Sequence, residues 1–202
     1  MQVSGLSVAL SAAVGIPLGA WLGLSRLSGR SLVAALVQTG MAFPPVVVGL
    51  LVYLLLSRSG PLGSLGWLFS WQAMIVAQVI LTLPFLVGIT MASVAAVPAD
   101  LSLQVSSLGA TPRQVRWTVL REARAGVALA LVTALGRSFS EVGAVLMVGG
   151  NIERQTRVLT TAIVLETGRG RFGFAIVLGC VLMLLAFTAN LVILRLHARV
   201  PH

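Results

Sequence analysis

Among its 202 residues the chain has one cysteine, two histidines, five acidic residues and no lysine. Cys180 lies inside an apolar run with no second cysteine to meet, which excludes an intrachain disulfide framework and a cysteine metal centre. His197 and His202 stand in the C-terminal tail and read as solvated end residues, so no metal site is expected. There is no Gly-x-x-x-x-Gly-Lys phosphate loop, and the chain is therefore not expected to hydrolyse ATP. An intramembrane protease needs a Ser–His pair or paired aspartates at membrane depth, and neither histidine nor aspartate lies in the apolar runs. No catalytic residue is expected.

Charge is scarce as well. Only 9% of residues are charged against 57% hydrophobic, and the mean hydropathy is +1.01. That composition excludes an ordinary soluble domain and points to an all-α polytopic membrane protein. The apolar runs are continuous, where a barrel would alternate, so helices are expected. The net charge of +9 comes from arginine alone. Its origin is either topology, with basic loops against anionic lipid on one side, or attraction of an anionic solute. The arginines are split among short loops and form no basic stripe, which argues against nucleic acid as a partner.

Five apolar segments are read in one membrane domain covering residues 1–202. The first, Val3 to Leu24, contains Pro17; the first charge after it is Arg26, so it lacks the basic start of a signal peptide and reads as a retained span. The second, Leu32 to Leu56, contains Gly40 and the pair Pro44-Pro45, where two missing backbone donors predict a bend or local unwinding. A turn-rich loop, Arg58 to Gly66, leads to Trp67 and Trp71, an expected interface belt. The third segment, Gln72 to Val94, contains Pro84. The fourth spans Ala125 to Val148 and the fifth Phe172 to Leu194, ending in Arg195 and Arg199. With the N-terminus outside and the C-terminus inside, the inner loops carry Arg26, Arg30, Arg113, Arg116, Arg121, Arg124, Arg195 and Arg199. The outer loops then carry Arg58, Arg154, Arg157, Arg169 and Arg171, partly offset by Glu153 and Glu166.

The chain is organised around the polar interruption from Val97 to Arg124. Its centre, Leu108-Gly109-Ala110-Thr111-Pro112-Arg113, predicts two short helices joined at Gly109. A membrane protein that places Asp100, Arg113, Arg116, Arg121, Glu122 and Arg124 in one internal loop is expected to touch something in water there.

Arg137 and Glu141 fall inside the fourth segment, four residues apart, which on a continuous helix places them on one face. Each costs about 2.5–3.5 kcal/mol at the bilayer centre, so both are expected to face protein or water. Two roles fit: an internal ion pair that fixes packing, or a polar lining for a charged solute, with Ser138 and Ser140 adding hydroxyls. In the following loop, Gly149-Gly150-Asn151 reads as a turn and Thr156 to Leu165 as a short helix bearing Thr160 and Thr161. Hydroxyls and backbone N–H groups at a helix start suit an oxyanion; an ordinary shielding loop fits equally. Gln38, Thr39, Gln78 and Thr82 are isolated polar groups for which interhelical hydrogen bonds suffice.

The loop's Leu103-x₅-Gly109 core and the helix from Arg113 to Leu120 resemble the EAA motif of binding-protein-dependent ABC importer permeases. The family's Glu-Ala-Ala falls here on Leu103-Gln104-Val105 and its later proline on Glu122, while Gly109-Ala110 is kept. Met41-Ala-Phe-Pro-Pro-Val-Val-Val-Gly49, Gly136-Arg-Ser-Phe-Ser-Glu-Val-Gly-Ala144, Met147-Val-Gly-Gly-Asn151 and Thr156-Arg-Val-Leu-Thr-Thr-Ala-Ile163 resemble the oxyanion branch, closest to tungstate permeases. Relatives often carry some residues before the abrupt first segment. The resemblance implies a type I importer permease in a bacterial inner membrane, working as a homodimer. Its implied partners are two ATP-binding subunits, which carry ATP and Mg, an extracytoplasmic tungstate-binding protein, and membrane lipid; no cofactor sits in this chain. It implies coupling to the ATPase through Leu103, Gln104, Ser106, Ser107, Leu108, Gly109, Ala110, Thr111, Pro112 and Arg113. It further implies a translocation pathway drawn from Pro44, Pro45, Arg137, Ser138, Ser140, Glu141, Asn151, Thr160 and Thr161. Molybdate or sulfate is the alternative substrate. From a different class, a stand-alone transporter or channel using Glu141 and a helical scaffold without transport are also carried forward.

Overall fold

The computed structural model describes residues 2–25 and 29–198. Arg26, Arg199 and His202 lie outside the described residues, as do the side chains of Arg30 and His197. Ten α-helices cover most of the described chain: α1 (Gln2–Leu24), α2 (Arg30–Met41), α3 (Pro45–Leu56), α4 (Trp71–Ala95), α5 (Ala99–Ser107), α6 (Pro112–Glu122), α7 (Arg124–Ser140), α8 (Gly143–Gly149), α9 (Leu159–Gly168) and α10 (Phe172–Ala198). By length and composition α1, α4 and residues 172–193 of α10 can each cross a bilayer. Two bent pairs bring the number to five when each is counted as one span: 31–41 with 45–56, bent by 91°, and 124–140 with 143–149, bent by 57°.

α4 is the central helix. Twelve residues of α4 are buried, whereas in α10 Ala175 alone is buried among the described side chains. One side of α4 takes α1, and the approach is set by Gly15, Gly19 and Gly23, spaced four residues apart. A Cβ on Gly19 would meet the Val87 carbonyl oxygen at 2.5 Å, and one on Gly23 the Met91 oxygen at 2.8 Å. Small residues let the backbones close to dispersion distance where lipid supplies no hydrophobic drive. Pro17 and Pro84 are both accommodated without ending their helices.

Three apolar clusters hang on α4. Val48, Val52 and Leu56 of α3 meet Met74 and Ala77 of α4 and Val145 and Val148 of α8. Val8 and Leu86 meet Ala130 and Ala134 of α7. Ala20 and Val94 meet Val119 of α6 and Ala123. The last cluster ties the polar loop to the ends of α1 and α4.

The second and fourth apolar segments therefore differ from continuous helices in different ways. The first bend comes where Pro44-Pro45 predicts it: Pro44 is extended (ψ 123°) and Pro45 starts α3 at a position that needs no donor. The second corrects the reading of residues 125–148 as one helix. Glu141 is extended (φ −75°, ψ 123°), α7 stops at Ser140, and α8 starts at Gly143. The helix read over Thr156 to Leu165 also shifts, because Val158 is extended (ψ 170°) and α9 starts at Leu159.

Candidate functional site

Two constructions carry the residues singled out by the sequence. The first is the elbow between α5 and α6. The N–H of Ala110 donates to the Val105 carbonyl (3.3 Å) and that of Gly109 to Ser106 (3.0 Å). This double closure is a Schellman stop, and it needs Gly109 at φ +83°, where a Cβ is disfavoured. Two residues later a new helix is started by a capping box. Thr111 Oγ1 accepts from the Gln114 N–H (3.4 Å), Gln114 Oε1 accepts from the Thr111 N–H (2.7 Å), and Pro112 sits at the first helical position.

A stop and a start within five residues give a short, hydrogen-bonded corner with little freedom to flex. Its tip is apolar and unpartnered: Leu108 is 87% exposed and Leu103 68%. Gln104, Ser106, Ser107, Gly109, Thr111, Pro112 and Arg113 are exposed beside them, and Ala110 is half-buried. All ten residues expected at the coupling surface thus lie on one projecting element.

The second construction lies inside the bundle, where the two bends meet. Gly143, at the start of α8, comes against Val46 at the start of α3: a Cβ there would meet Val46 Cγ2 at 3.0 Å. One turn along, a Cβ on Gly49 would meet the Cα of Ala144 at 2.7 Å. The half-helices α3 and α8 therefore cross with almost no side chain between them.

Glu141 holds this crossing from the other side. It is 4% exposed, its Oε1 accepts from the Ala144 N–H (2.9 Å), and its carbonyl accepts from Thr160 Oγ1 (3.2 Å). An ionised or polar group at membrane depth is stabilised only by donors. By leaving the helix, Glu141 gains a backbone donor at the start of α8 and a hydroxyl from α9. Arg137 and Glu141 consequently do not share a helical face and form no ion pair, which corrects the internal-pair reading. Arg137 is half-buried, and its Nε is buried without a partner.

Beside Glu141 runs a polar seam between α1, α4 and α7. Ser7 Oγ donates to Gln78 Oε1 (2.9 Å), Gln78 Nε2 donates to the Ser138 carbonyl (3.3 Å), and Ser11 and Thr82 share a hydroxyl bond of 2.8 Å. The isolated Gln78 and Thr82 are thus satisfied between helices, while Thr39 bonds within its own helix to the Ala35 carbonyl (2.8 Å). A cavity of about 30 Å³, lined by Ser4, Gln78, Ser138, Glu141 and Thr160 among others, opens off this seam. Its volume suits a single water, and its wall sets these polar groups beside Phe139, Leu182 and Leu185.

Of the expected pathway residues, Pro45, Ser138, Glu141 and Thr160 come together around this crossing. Pro44 and Ser140 are exposed at its edges. Thr161 closes on its own turn, accepting from the Val158 N–H (3.0 Å). Asn151 lies apart, at φ +50° beyond the end of α8, in a loop where Thr156 Oγ1 accepts from Ile152 N–H and donates to the Gly149 carbonyl. Sequence reasoning missed Ser4, Ser7, Ser11, Gly49 and Gly143. The serines repeat at one helical face (i, i+3, i+7), a signal present in the first segment; nothing local marks Gly49.

Away from the elbow, three arginines pair with acids: Arg169 and Arg171 reach the buried carboxylate of Glu166 at 3.0 and 3.5 Å, and Arg157 pairs with Glu153 at 3.4 Å, while Arg58 and Arg154 join no ion pair among the described residues. At the elbow, Arg113, Arg116 and Arg121 join no ion pair among the described residues. No group of three His, Cys, Asp or Glu residues able to hold a metal occurs among the described residues.

The sequence from residue 15 to 202 matches the family of binding-protein-dependent transport system inner membrane components. A probable anion ABC transporter permease of Haloferax volcanii is 45% identical over the whole of this chain and 89% of its own length. The tungstate uptake system permease of Peptoclostridium acidaminophilum is 40% identical over 96% of this chain and 86% of its own. The molybdenum transport permease of Azotobacter vinelandii is 31% identical over 81% and 76%. These relatives are transport subunits and not enzymes, and in such systems ATP hydrolysis belongs to a separate subunit. The all-helical bundle with its bent spans and projecting elbow is therefore that of a multi-pass membrane component, and the chain belongs to the permease family of ABC importers.

Proposed function

We propose that the chain, acting as one membrane domain of residues 1–202, is the permease subunit of a tungstate importer. In this reading two copies form the pathway, two ATP-binding subunits dock on the α5–α6 elbow, and a tungstate-binding protein delivers substrate at the opposite face. The N-terminus then lies outside and the C-terminus inside. The observation that carries the reading is the elbow. A Schellman stop and a capping box present Leu103 and Leu108 on a stiff polar corner, which is what a coupling element needs in order to transmit a push.

Closure of the ATP-binding subunits would move α6, and with it the ends of α1 and α4 joined to it through Val119. The α3–α8 crossing around Glu141 is the element that such a movement would open. Ser138, Glu141 and Thr160 then line or support the pathway, with Arg137 at its edge. A fixed, strongly bonded anion site is not expected there, because it would slow release.

Tungstate is favoured by the 40% identity to a tungstate permease. The molybdenum relative at 31% supports molybdate as the second reading. The test is intracellular tungsten measured by mass spectrometry in cells with the chain deleted or restored, with excess molybdate and sulfate as competitors. Chain-dependent uptake that resists both competitors is expected. Suppression by molybdate moves the substrate to a mixed oxyanion, and no change in tungsten or molybdenum overturns the assignment. Uptake that persists without the ATP-binding subunit would favour a stand-alone transporter working through Glu141.

A further inference from the structure

Beyond transport, one surface of the elbow is built for a different ligand. Between the end of α1 and the outer side of α6 runs an open groove of about 790 Å³. Ala20, Trp21 and Leu24 form its α1 wall; Arg113, Arg116 and Trp117 form its α6 wall. The two indoles of this surface are not explained by packing within the chain. Trp21 is 52% exposed and Trp117 67%, although Val119, on the opposite side of α6, is fully packed into the cluster with Ala20 and Val94.

The groove combines three chemistries in a fixed order. Its α1 wall is the last stretch of a helix that is long and apolar enough to cross a membrane. Two indoles stand where the span ends, the position at which tryptophan prefers the headgroup layer. Beyond them the guanidinium groups of Arg113 and Arg116 have no carboxylate partner among the described residues. Arg116 spends one N–H on the Pro112 carbonyl (3.2 Å), and the remaining donors of both arginines are directed to no acid. Acyl surface, interface and cation in that order match the parts of a phospholipid, and the excess positive charge selects an anionic one.

We propose that this groove is a binding site for an anionic phospholipid of the leaflet on the elbow side. The acyl chains lie against Leu24, the glycerol sits between Trp21 and Trp117, and the phosphodiester is held by Arg113 and Arg116. The bound lipid ties α6, and so the elbow, to the membrane surface. This does not depend on which oxyanion is transported.

The test uses the full chain carrying Trp67→Phe and Trp71→Phe, which leaves the two groove tryptophans as its only indoles. It is reconstituted in phosphatidylcholine bilayers doped with either brominated phosphatidylglycerol or brominated phosphatidylcholine at equal mole fraction. The brominated anionic lipid is expected to quench Trp21 and Trp117 at a several-fold lower mole fraction than the zwitterionic one. Arg116→Gln should reduce that preference about five-fold, since one basic residue near the surface contributes about that factor. High salt should shrink the preference as well. Equal quenching by both lipids at every mole fraction overturns the proposal. So does quenching that disappears when the ATP-binding subunits are added, because the groove then belongs to a protein partner. Thermal unfolding of Arg116→Gln alongside the parent keeps a folding defect from being read as lost lipid.

Discussion

The two broken spans reach the same kind of bend by opposite routes. At α2–α3 the chain cannot continue as a helix, because Pro44 and Pro45 remove consecutive donors, and the 91° turn follows from covalent chemistry. At α7–α8 nothing forbids the helix: Phe139-Ser-Glu-Val-Gly143 contains no proline. There the 57° turn is held by two groups off the helical path: the Ala144 N–H donates to the Glu141 carboxylate and the Thr160 hydroxyl to the Glu141 backbone carbonyl. A proline break is a prohibition and persists without its surroundings. The Glu141 break is a preference and depends on α3, α8 and α9 being in place.

This difference can be broken most severely at the crossing itself. Gly49→Leu puts a branched side chain where a single Cβ already meets Ala144 Cα at 2.7 Å. A loss of about 3 kcal/mol is expected, with uptake abolished; a thermal-unfolding scan of the purified chain in detergent reads it. If the variant melts with the parent, α3 and α8 are not in contact.

Glu141→Ala removes the acceptor that starts α8 and should cost about 2 kcal/mol, the scale of a hydrogen bond to a charged group. Glu141→Gln keeps the acceptor oxygen and should lose less than half as much. Comparing the two melting temperatures separates the hydrogen bond from the charge. A Gln variant as damaged as the Ala variant would mean that charge, and not capping, sets the break.

Thr160→Val deletes one hydroxyl bond to the Glu141 carbonyl with little change of shape. About 1 kcal/mol is expected, with partial loss of uptake.

The smallest effect is predicted for Pro44→Ala, at about 0.4–1 kcal/mol, because the substitution mainly frees the unfolded chain. The bend should survive it, since Pro45 and the α3–α8 contact remain. Spin labels at the exposed Leu36 and Leu54 report this as an unchanged distance; a longer distance would show that Pro44 alone holds the turn.

The elbow was legible as two short helices joined at Gly109. Its glycine stop and Thr-Pro start act over three to five residues, so the sequence and the fold agree from Ser106 to Gln114. The Ser7–Gln78–Ser138 seam was half legible: Gln78 stood out in an apolar run, whereas the Ser4–Ser7–Ser11 repeat gains a meaning only when α4 lies against it. The Arg137–Glu141 spacing misled because it presumes a continuous helix, and the interruption is caused by groups 3 to 19 residues away.

The sequence alone determined the membrane class, the positions of the apolar segments, the proline bend and the elbow. Each is set by local composition, by backbone donors removed or by caps closed within a turn. Only the tertiary structure decided that the two bends abut, that Glu141 leaves its helix to cap the next, and that Arg113 and Arg116 stand beside two tryptophans with no ion pair among the described residues. Those outcomes depend on which distant groups arrive as donors, carboxylates or close backbone, and no single stretch of sequence holds that information.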